Sequence, residues 1–567
     1  FHRAVETFGQ LGERLDIAAK LDQAARYLRN PYLAYVFALS HKPNSLCWWL
    51  TSVSYRASYT SKTFYQSCQL RVALDLAESW DGPGPLVVVA ADRPVRQALQ
   101  RNAGIPTGSM LGDWRVRPLQ PVRDLLKLAV YRCFFLARET RRLIQARRLI
   151  RRLAGLAEET TLLVSTVHPG NLKNDGDFHR AHWGELAGRL TAMGANLAMV
   201  PLVLRSVPYR EAVQRVLKGS TPIVLPHRYL CMADLLRAVV SSARPLRLEN
   251  PLPQLDGMDI GPLVREDLRT HWVSNRGADG LLLEALTQRL AQTGASTARI
   301  IFKYENQPWE RALCWGAKRH LPAAATVGFQ HARAPSLYLN YYLAPGEAKE
   351  APLPDRVVTI GKHTAGLLSS GGYAPQQVRA GAALHIPASD GNEAGGTMPD
   401  VPTVLIAGSY GAEESYELAS MALGLFGKDD GVDVVLKCHP SMPYRGFQHL
   451  MRTSMPGHVR LSDEPITDLI VKSSLMVYTG SMVSVQALAA GLPVVHLRSE
   501  FDLDLDPLGA VPDVRLEATG LEDMRKQVKW LLANRSEYIA QHQGRWATLV
   551  KEIYGPVTDE AIKAFVD

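Results

Sequence analysis

The 567-residue chain is expected to be α/β, built from two doubly wound domains. Three observations lead there. Short β-branched runs alternate with segments of helical period over most of the length. A stretch rich in Pro, Gly, Ser and Asp, 385–402, divides that alternation into two parts and reads as a linker. Apolar residues are 46% and charged residues 21%, as in an ordinary globular chain, which excludes extensive disorder and fibrous folds.

The elements follow in order. Residues 1–80 read mainly as a helical region, with Leu11, Leu15, Ala18, Leu21 and Ala25 at helical spacing. The first domain is expected over 81–384. It opens with a β-branched run at 85–91, bounded by Gly and Pro and read as a buried parallel-type strand, then a helix at 94–103. Further strands are expected at 161–167, 194–201, 222–226, 299–303, 325–329 and 356–360. Helices at 178–193, 231–242, 279–293 and 308–320 separate them. The second domain is expected over 403–567. Its strands lie at 403–407, 432–437, 459–461, 475–478 and 493–497, with helices from Glu413, over 482–490 and over 520–544.

Charge is concentrated. Residues 114–152 hold twelve Lys/Arg against Asp124 and Glu139, a net +10, so the rest of the +9 chain sums to −1. Leu125, Leu126, Phe134, Phe135, Leu143 and Ile144 interleave with these cations, which predicts one or two amphipathic helices with Arg/Lys on the polar face. Two readings stand: a solvated helix packed on its domain, or an interfacial helix on anionic lipid at the inner face of a membrane. Nucleic acid is not expected, because no recognition motif accompanies the charge. The six cysteines are scattered with no CxxC pair, which fits reduced thiols in a cytoplasmic protein. No signal-peptide pattern opens the sequence, and no apolar run is long enough to span a bilayer.

Ligands of open α/β sheets bind beyond the C-terminal ends of strands, so the loops there carry the candidates. In the second domain Lys437, His439 and Pro440 end one strand, and Gly408 and Ser409 end another. Thr479, Gly480, Ser481, Ser484 and Gln486 form a turn into a helix, where free N–H groups would favour an anion. Ser481 reads equally well as a plain N-cap. In the first domain Glu305, Asn306, Gln307 and Glu310 crowd one strand-to-helix turn, with Pro308 at the first helical position. A base or nucleophile is expected at Glu305, supported by Glu310, with His331 at the end of the next strand. A capping and ion-pair role with Arg311 or Lys303 is the alternative. Asp175, in Asn174-Asp175-Gly176, is a rival base, although Asp-Gly is also an ordinary turn. Asp502, Asp504 and Asp506 alternate like a metal loop but lack the glycine and spacing of a calcium hand, so a surface loop and no metal are expected.

The passage Gln486-Ala-Leu-Ala-Ala-Gly-Leu-Pro-Val-Val495, with its two preceding loops, resembles the nucleotide-binding half of GT-B glycosyltransferases, which are built of two Rossmann-like domains. Gln486 stands where many members carry a ribose-binding Glu. The His439-Pro440 pair, followed some forty residues later by a Ser/Thr-rich loop, is similar to bacterial sialyltransferases and Kdo transferases. That resemblance implies a CMP-linked donor, with His439 on its phosphate or ribose and Thr479, Ser481 and Ser484 on its phosphate. It implies no cofactor and no metal, and a cleft between the two halves. Trp48-Trp49, 178–186, 303–310, 328–331 and Gly372-Tyr373 resemble bacterial surface-carbohydrate biosynthesis proteins, which implies a lipid-linked or glycan acceptor in O-antigen or capsule assembly. The rivals are a teichoic-acid-type polyol-phosphate transferase using a CDP-alcohol, a non-catalytic assembly protein of the same fold, and a sugar-nucleotide epimerase.

Overall fold

The computed structural model describes residues 15–40, 45–103, 120–150, 156–384, 400–451, 455–499 and 502–567, apart from 83, 91, 157, 174, 295, 333 and 456. Most of the linker expected at 385–402 therefore lies outside the described residues. The chain forms two compact units. The N-terminal unit comprises 28–331, 339–386 and 555–567, and the C-terminal unit comprises 1–27, 332–338 and 387–554.

Each unit holds one parallel six-stranded sheet with helices between successive strands, so the expected pair of Rossmann-like α/β units is observed. The N-terminal sheet contains β1 (Thr160–Val167), β2 (Leu197–Val203), β3 (Thr297–Lys303), β4 (Ala325–Gln330), β5 (Arg356–Thr359) and β6 (Val378–Ala380), in the order β2-β1-β3-β4-β5-β6. The C-terminal sheet contains β7 (Thr403–Ala407), β8 (Asp433–Lys437), β9 (Val459–Leu461), β10 (Leu475–Tyr478), β11 (Val494–Leu497) and β12 (Leu516–Ala518). Its order is β9-β8-β7-β10-β11-β12. Strand order reverses between β1 and β3 in one sheet and between β7 and β10 in the other. At such a reversal two neighbouring loops leave in opposite directions and open a crevice at the strand ends.

Central strands are buried on both faces, as parallel sheets covered by helices require: Leu405, Ile406, Val477, Val494 and Val495 are fully enclosed. The core of the N-terminal sheet joins Leu163, Ile301 and Phe329 to Trp183, and takes in Ile562 and Phe565 from the end of the chain. Residues 555–567 thus pack with the N-terminal unit, not with the second domain to which the sequence reading assigned them. The backbone confirms the return, with Ala383 N–H donating to the Gly555 carbonyl at 2.9 Å.

Other expectations need correction. Residues 85–90 join no ladder, and Val87, Val88 and Val89 are exposed, so their β-branched composition reflects propensity without a partner strand. At 222–226 only Ile223 bridges, to Met199, because Pro222 and Pro226 cannot donate. The helix expected at 178–193 is two, Arg180–Trp183 and Leu186–Ala192. They break at Gly184, where φ is +51° and a Cβ would sit 1.9 Å from the Leu384 carbonyl oxygen. The helix at 520–544 divides at Asn534 into Gly520–Ala533 and Arg535–Ile553. The described part of the basic segment is one helix, Gln120–Leu149, and its polarity is not as expected: Asp124, Arg132 and Glu139 face inward.

Candidate functional site

The C-terminal switch point lies between the loop after β7 and the loop after β10. Gly408 leaves β7 so close to the end of β8 that a Cβ would sit 3.0 Å from Lys437 O, Cys438 Cα and His439 N. Only glycine permits this approach, and the Gly408 N–H bonds Lys437 O at 2.8 Å. Gly408, Ser409, Lys437, His439 and Pro440 are thereby gathered at one edge. His439 Nδ1 accepts from the Ser441 N–H at 3.1 Å, so the neutral ring keeps its proton on Nε2 as a free donor. Burial pulls the ring below its ordinary pKa, so it acts as a neutral N–H donor at neutral pH. The exposed Tyr410 ring stands edge-on to it at 5.7 Å. Lys437 forms no hydrogen bond or ion pair with a described residue, which leaves a free cation at the strand end.

After β10, Thr479 is buried, and its hydroxyl has no hydrogen-bond partner among the described residues. Gly480 and Ser481 follow at the turn. Ser484 is turned inward, its Oγ donating to Ser481 O at 2.9 Å, so this hydroxyl closes the first helical turn. Gln486 lies half-buried on the helix Val483–Ala489.

One residue of this site escaped the sequence reading. Glu414 is buried in the first turn of the helix Ala412–Leu425, accepts a hydrogen bond from Ser409 Oγ, and approaches the Cβ position of Gly480 to 3.8 Å. It therefore joins the two switch-point loops. Burial pushes its carboxyl up to about 8, and the nearby Asp502, Glu417 and Asp504 push the same way while Ser409 opposes. The carboxyl is protonated at neutral pH and does not repel an anion beside it.

The 501–508 stretch is also corrected, because its described part is not a surface loop. Asp506 is buried, accepting from Tyr478 Oη at 2.8 Å and pairing with Arg515 Nε at 2.5 Å. Leu505 packs 3.4 Å from the Cβ position of Gly480 and so supports the turn from below. The charges here hold one another and the loop.

In the N-terminal unit the switch point lies between the loops after β1 and β3. His168 ends β1, while Lys303 to Gln307 end β3. Asn306 takes a left-handed φ of +56°, a conformation tolerated by asparagine. Its amide is held on both sides: Nδ2 donates to Asn340 O at 2.8 Å, and Oδ1 accepts from Arg311 Nε at 2.9 Å. The helix Pro308–His320 starts with Gln307 as N-cap and Glu310 closing a capping box. Glu310 Oε2 accepts from the N–H groups of Glu305 at 2.9 Å and Gln307 at 3.0 Å. Glu310 is fully enclosed, and burial, with the charge of Glu305, pushes it well above the usual carboxylate range. Its carboxyl therefore positions the turn that carries Glu305.

Glu305 remains partly open. Its Oε2 accepts from Gln307 Nε2 at 2.5 Å, and its Oε1 lies 3.6 Å from His331 Nε2. Burial holds Lys303 down to about 8 against the attraction of Glu305. Arg311, the partner suggested for Glu305, instead bonds Asn306, Trp49 O and Ser54 Oγ. Asp175 is exposed and caps its own turn, accepting from Asp177 N–H at 3.0 Å. Among the described residues no cluster of three or more His, Cys, Asp or Glu is arranged to hold a metal ion.

No family model matches the chain. No curated protein matches it either. Among solved structures it is similar to TarM of S. aureus, with 11% identity and a TM-score of 0.43 over 72% of this chain and 100% of that one. It is similar to HepE of Anabaena, solved with UDP and glucose, with 10% identity and a TM-score of 0.41 over 71% and 97%. It is also similar to the UDP-GlcNAc 2-epimerase of Neisseria meningitidis, with 12% identity and a TM-score of 0.40 over 72% and 98%. Likenesses this distant assign no chemistry, which has to come from the side chains described above.

Proposed function

We propose that the chain is a GT-B-type glycosyltransferase whose C-terminal unit binds the nucleotide of a sugar donor, and that the donor is a CMP-linked ulosonic acid. One observation carries this reading. The β7/β10 switch point gathers a free lysine, a neutral histidine N–H and an unpartnered buried hydroxyl, at Lys437, His439 and Thr479, around two glycine turns. Such donors suit a phosphate, and they suit the charge that grows on it as the bond to sugar breaks. The CMP preference draws support from the His439-Pro440 pair and the hydroxyl-rich loop at 479–484. Glu305 is the base in this reading. It takes the proton of the acceptor hydroxyl, whose oxygen bonds the anomeric carbon while the bond from that carbon to the phosphate oxygen breaks and the nucleotide leaves with the electron pair. Gln307 holds the Glu305 carboxylate, and His331 stands beside it. The acceptor is a lipid-linked bacterial surface glycan, and no metal or cofactor is assigned.

Calorimetric titration with CMP, CDP, UDP and GDP tests the donor. CMP is expected to bind wild type and Glu305→Gln alike, and to lose at least tenfold in affinity with His439→Ala. Preference for UDP or GDP overturns the donor class. Preference for CDP favours polyol-phosphate transfer. No binding of any nucleotide overturns the transferase reading.

A further inference from the structure

The helix Gln120–Leu149 carries its charges and its apolar residues on the wrong sides for a helix that merely packs on a domain. Asp124, Arg132 and Glu139 point inward and are held by partners from other elements. Both Asp124 oxygens accept from Arg269 Nη1 at 2.8 Å. Arg132 donates to the carbonyls of Ser274, Ser242 and Trp272. Glu139 accepts from His227 at 2.6 Å and also pairs with Arg138 and Arg142. The outer face is apolar. Val122, Leu126, Val130, Cys133, Ala137 and Ile144 recur at intervals of three, four and seven and form one stripe, with Phe134 at its flank. Leu126 is 64% and Phe134 69% exposed.

A second stripe adjoins it. On the helix Met232–Ala243, Met232, Leu236 and Val240 are exposed at spacings of four, and Thr140 Oγ1 lies 3.5 Å from Met232 Sδ. Arg123, Lys127, Arg141 and Arg148 border the first stripe, exposed and without a hydrogen-bond or ion-pair partner among the described residues. Both carboxylates of the long helix are buried, so nothing on its outer face opposes these cations.

We propose that this two-helix face docks on an anionic lipid bilayer. The stripes enter the boundary between headgroups and acyl chains, and the bordering cations meet the headgroup phosphates. Charge selects this occupant. A second copy placed face to face would set cations against cations, whereas anionic headgroups complement them. No helix among the described residues is long and apolar enough to cross a membrane. The inference deepens the lipid-linked acceptor proposed above, and its test uses no nucleotide, so either reading can fail without the other.

Flotation of the full chain with vesicles of phosphatidylcholine, with and without about 30% phosphatidylglycerol, is the test, since anionic headgroups attract basic segments. Wild type is expected to float with the anionic vesicles, less so at high salt, and not with phosphatidylcholine alone. Leu126→Asp/Phe134→Asp is expected to reduce binding at least tenfold, and Arg123→Glu/Lys127→Glu to abolish the preference for anionic vesicles. All four positions are exposed, so unchanged circular dichroism melting serves as the folding control. Failure of wild type to float overturns the proposal, as does flotation that these variants leave unaltered. Dimerisation in solution that the same variants abolish would assign the face to a second copy instead.

Discussion

Replacing Glu347 by alanine is expected to destabilise the N-terminal unit by about 3–5 kcal/mol, among the largest effects open to a single substitution here. Glu347 receives a two-pronged bond from Arg56, at 2.9 and 2.8 Å, with both side chains withdrawn from solvent. It also accepts the Ala344 N–H at 2.9 Å. Arg56 is fixed in turn by a left-handed φ of +60° where the helix Ser52–Tyr55 ends. Arg311 lies in the same interior, held down to about 10 by burial, with Arg56 pushing the same way and Glu347 opposing. Without Glu347, the enclosed Arg56 guanidinium loses its paired carboxylate, with a second enclosed guanidinium, Arg311, nearby. Urea unfolding followed by tryptophan fluorescence measures the loss. Arg56→Met/Glu347→Leu is expected to recover much of it, since a buried pair replaced whole costs little. A loss below about 1 kcal/mol in Glu347→Ala would show that the pair is not needed where it lies.

The second large effect is a pH dependence set by Glu414. Its carboxyl rises from the ordinary 4.5 to about 8 on folding. Between those values the folded chain keeps a proton that the unfolded chain has released. Stability from this group is therefore complete below pH 4.5 and is lost as pH climbs through 8, by at most about 5 kcal/mol. Glu414→Gln cannot ionise and still accepts from Ser409. It is expected to match wild type at pH 4.5 and to exceed it at pH 9, with a flatter profile between. Equal pH profiles would place the carboxyl in contact with water and contradict the burial. The same ionisation bears on function: above pH 8 a carboxylate appears beside Gly480, and nucleotide affinity is expected to fall in wild type and to hold in Glu414→Gln.

Much of the fold is legible from local signals. The β-branched runs ending in Gly408, Cys438 and Thr479 each mark a strand with its loop, and Pro308 marks a helix start because its missing N–H is harmless there. What could not be read is lateral order. No periodicity tells that β10 lies beside β7, or β3 beside β1, yet those neighbours define both crevices. Glu414 was missed for a related reason: an acid in a first helical turn normally faces water and the dipole, and only the approach of the 480 turn encloses it. The inward charges of the helix Gln120–Leu149 stayed hidden because Arg269, His227 and several carbonyls, all distant in sequence, supply the partners. The run at 85–90 misled in the other direction, since strand propensity cannot act without a neighbouring strand.

The central claim is that the β7/β10 switch point binds the phosphate of a nucleotide. Hydrogen exchange of the full chain, read by mass spectrometry with and without saturating CMP, tests it most directly. The account predicts slowed exchange at 408–411, 438–441 and 479–485, and none of that slowing in His439→Ala. Protection confined to other strand ends, or unchanged exchange in all three loops with nucleotide bound, would contradict it.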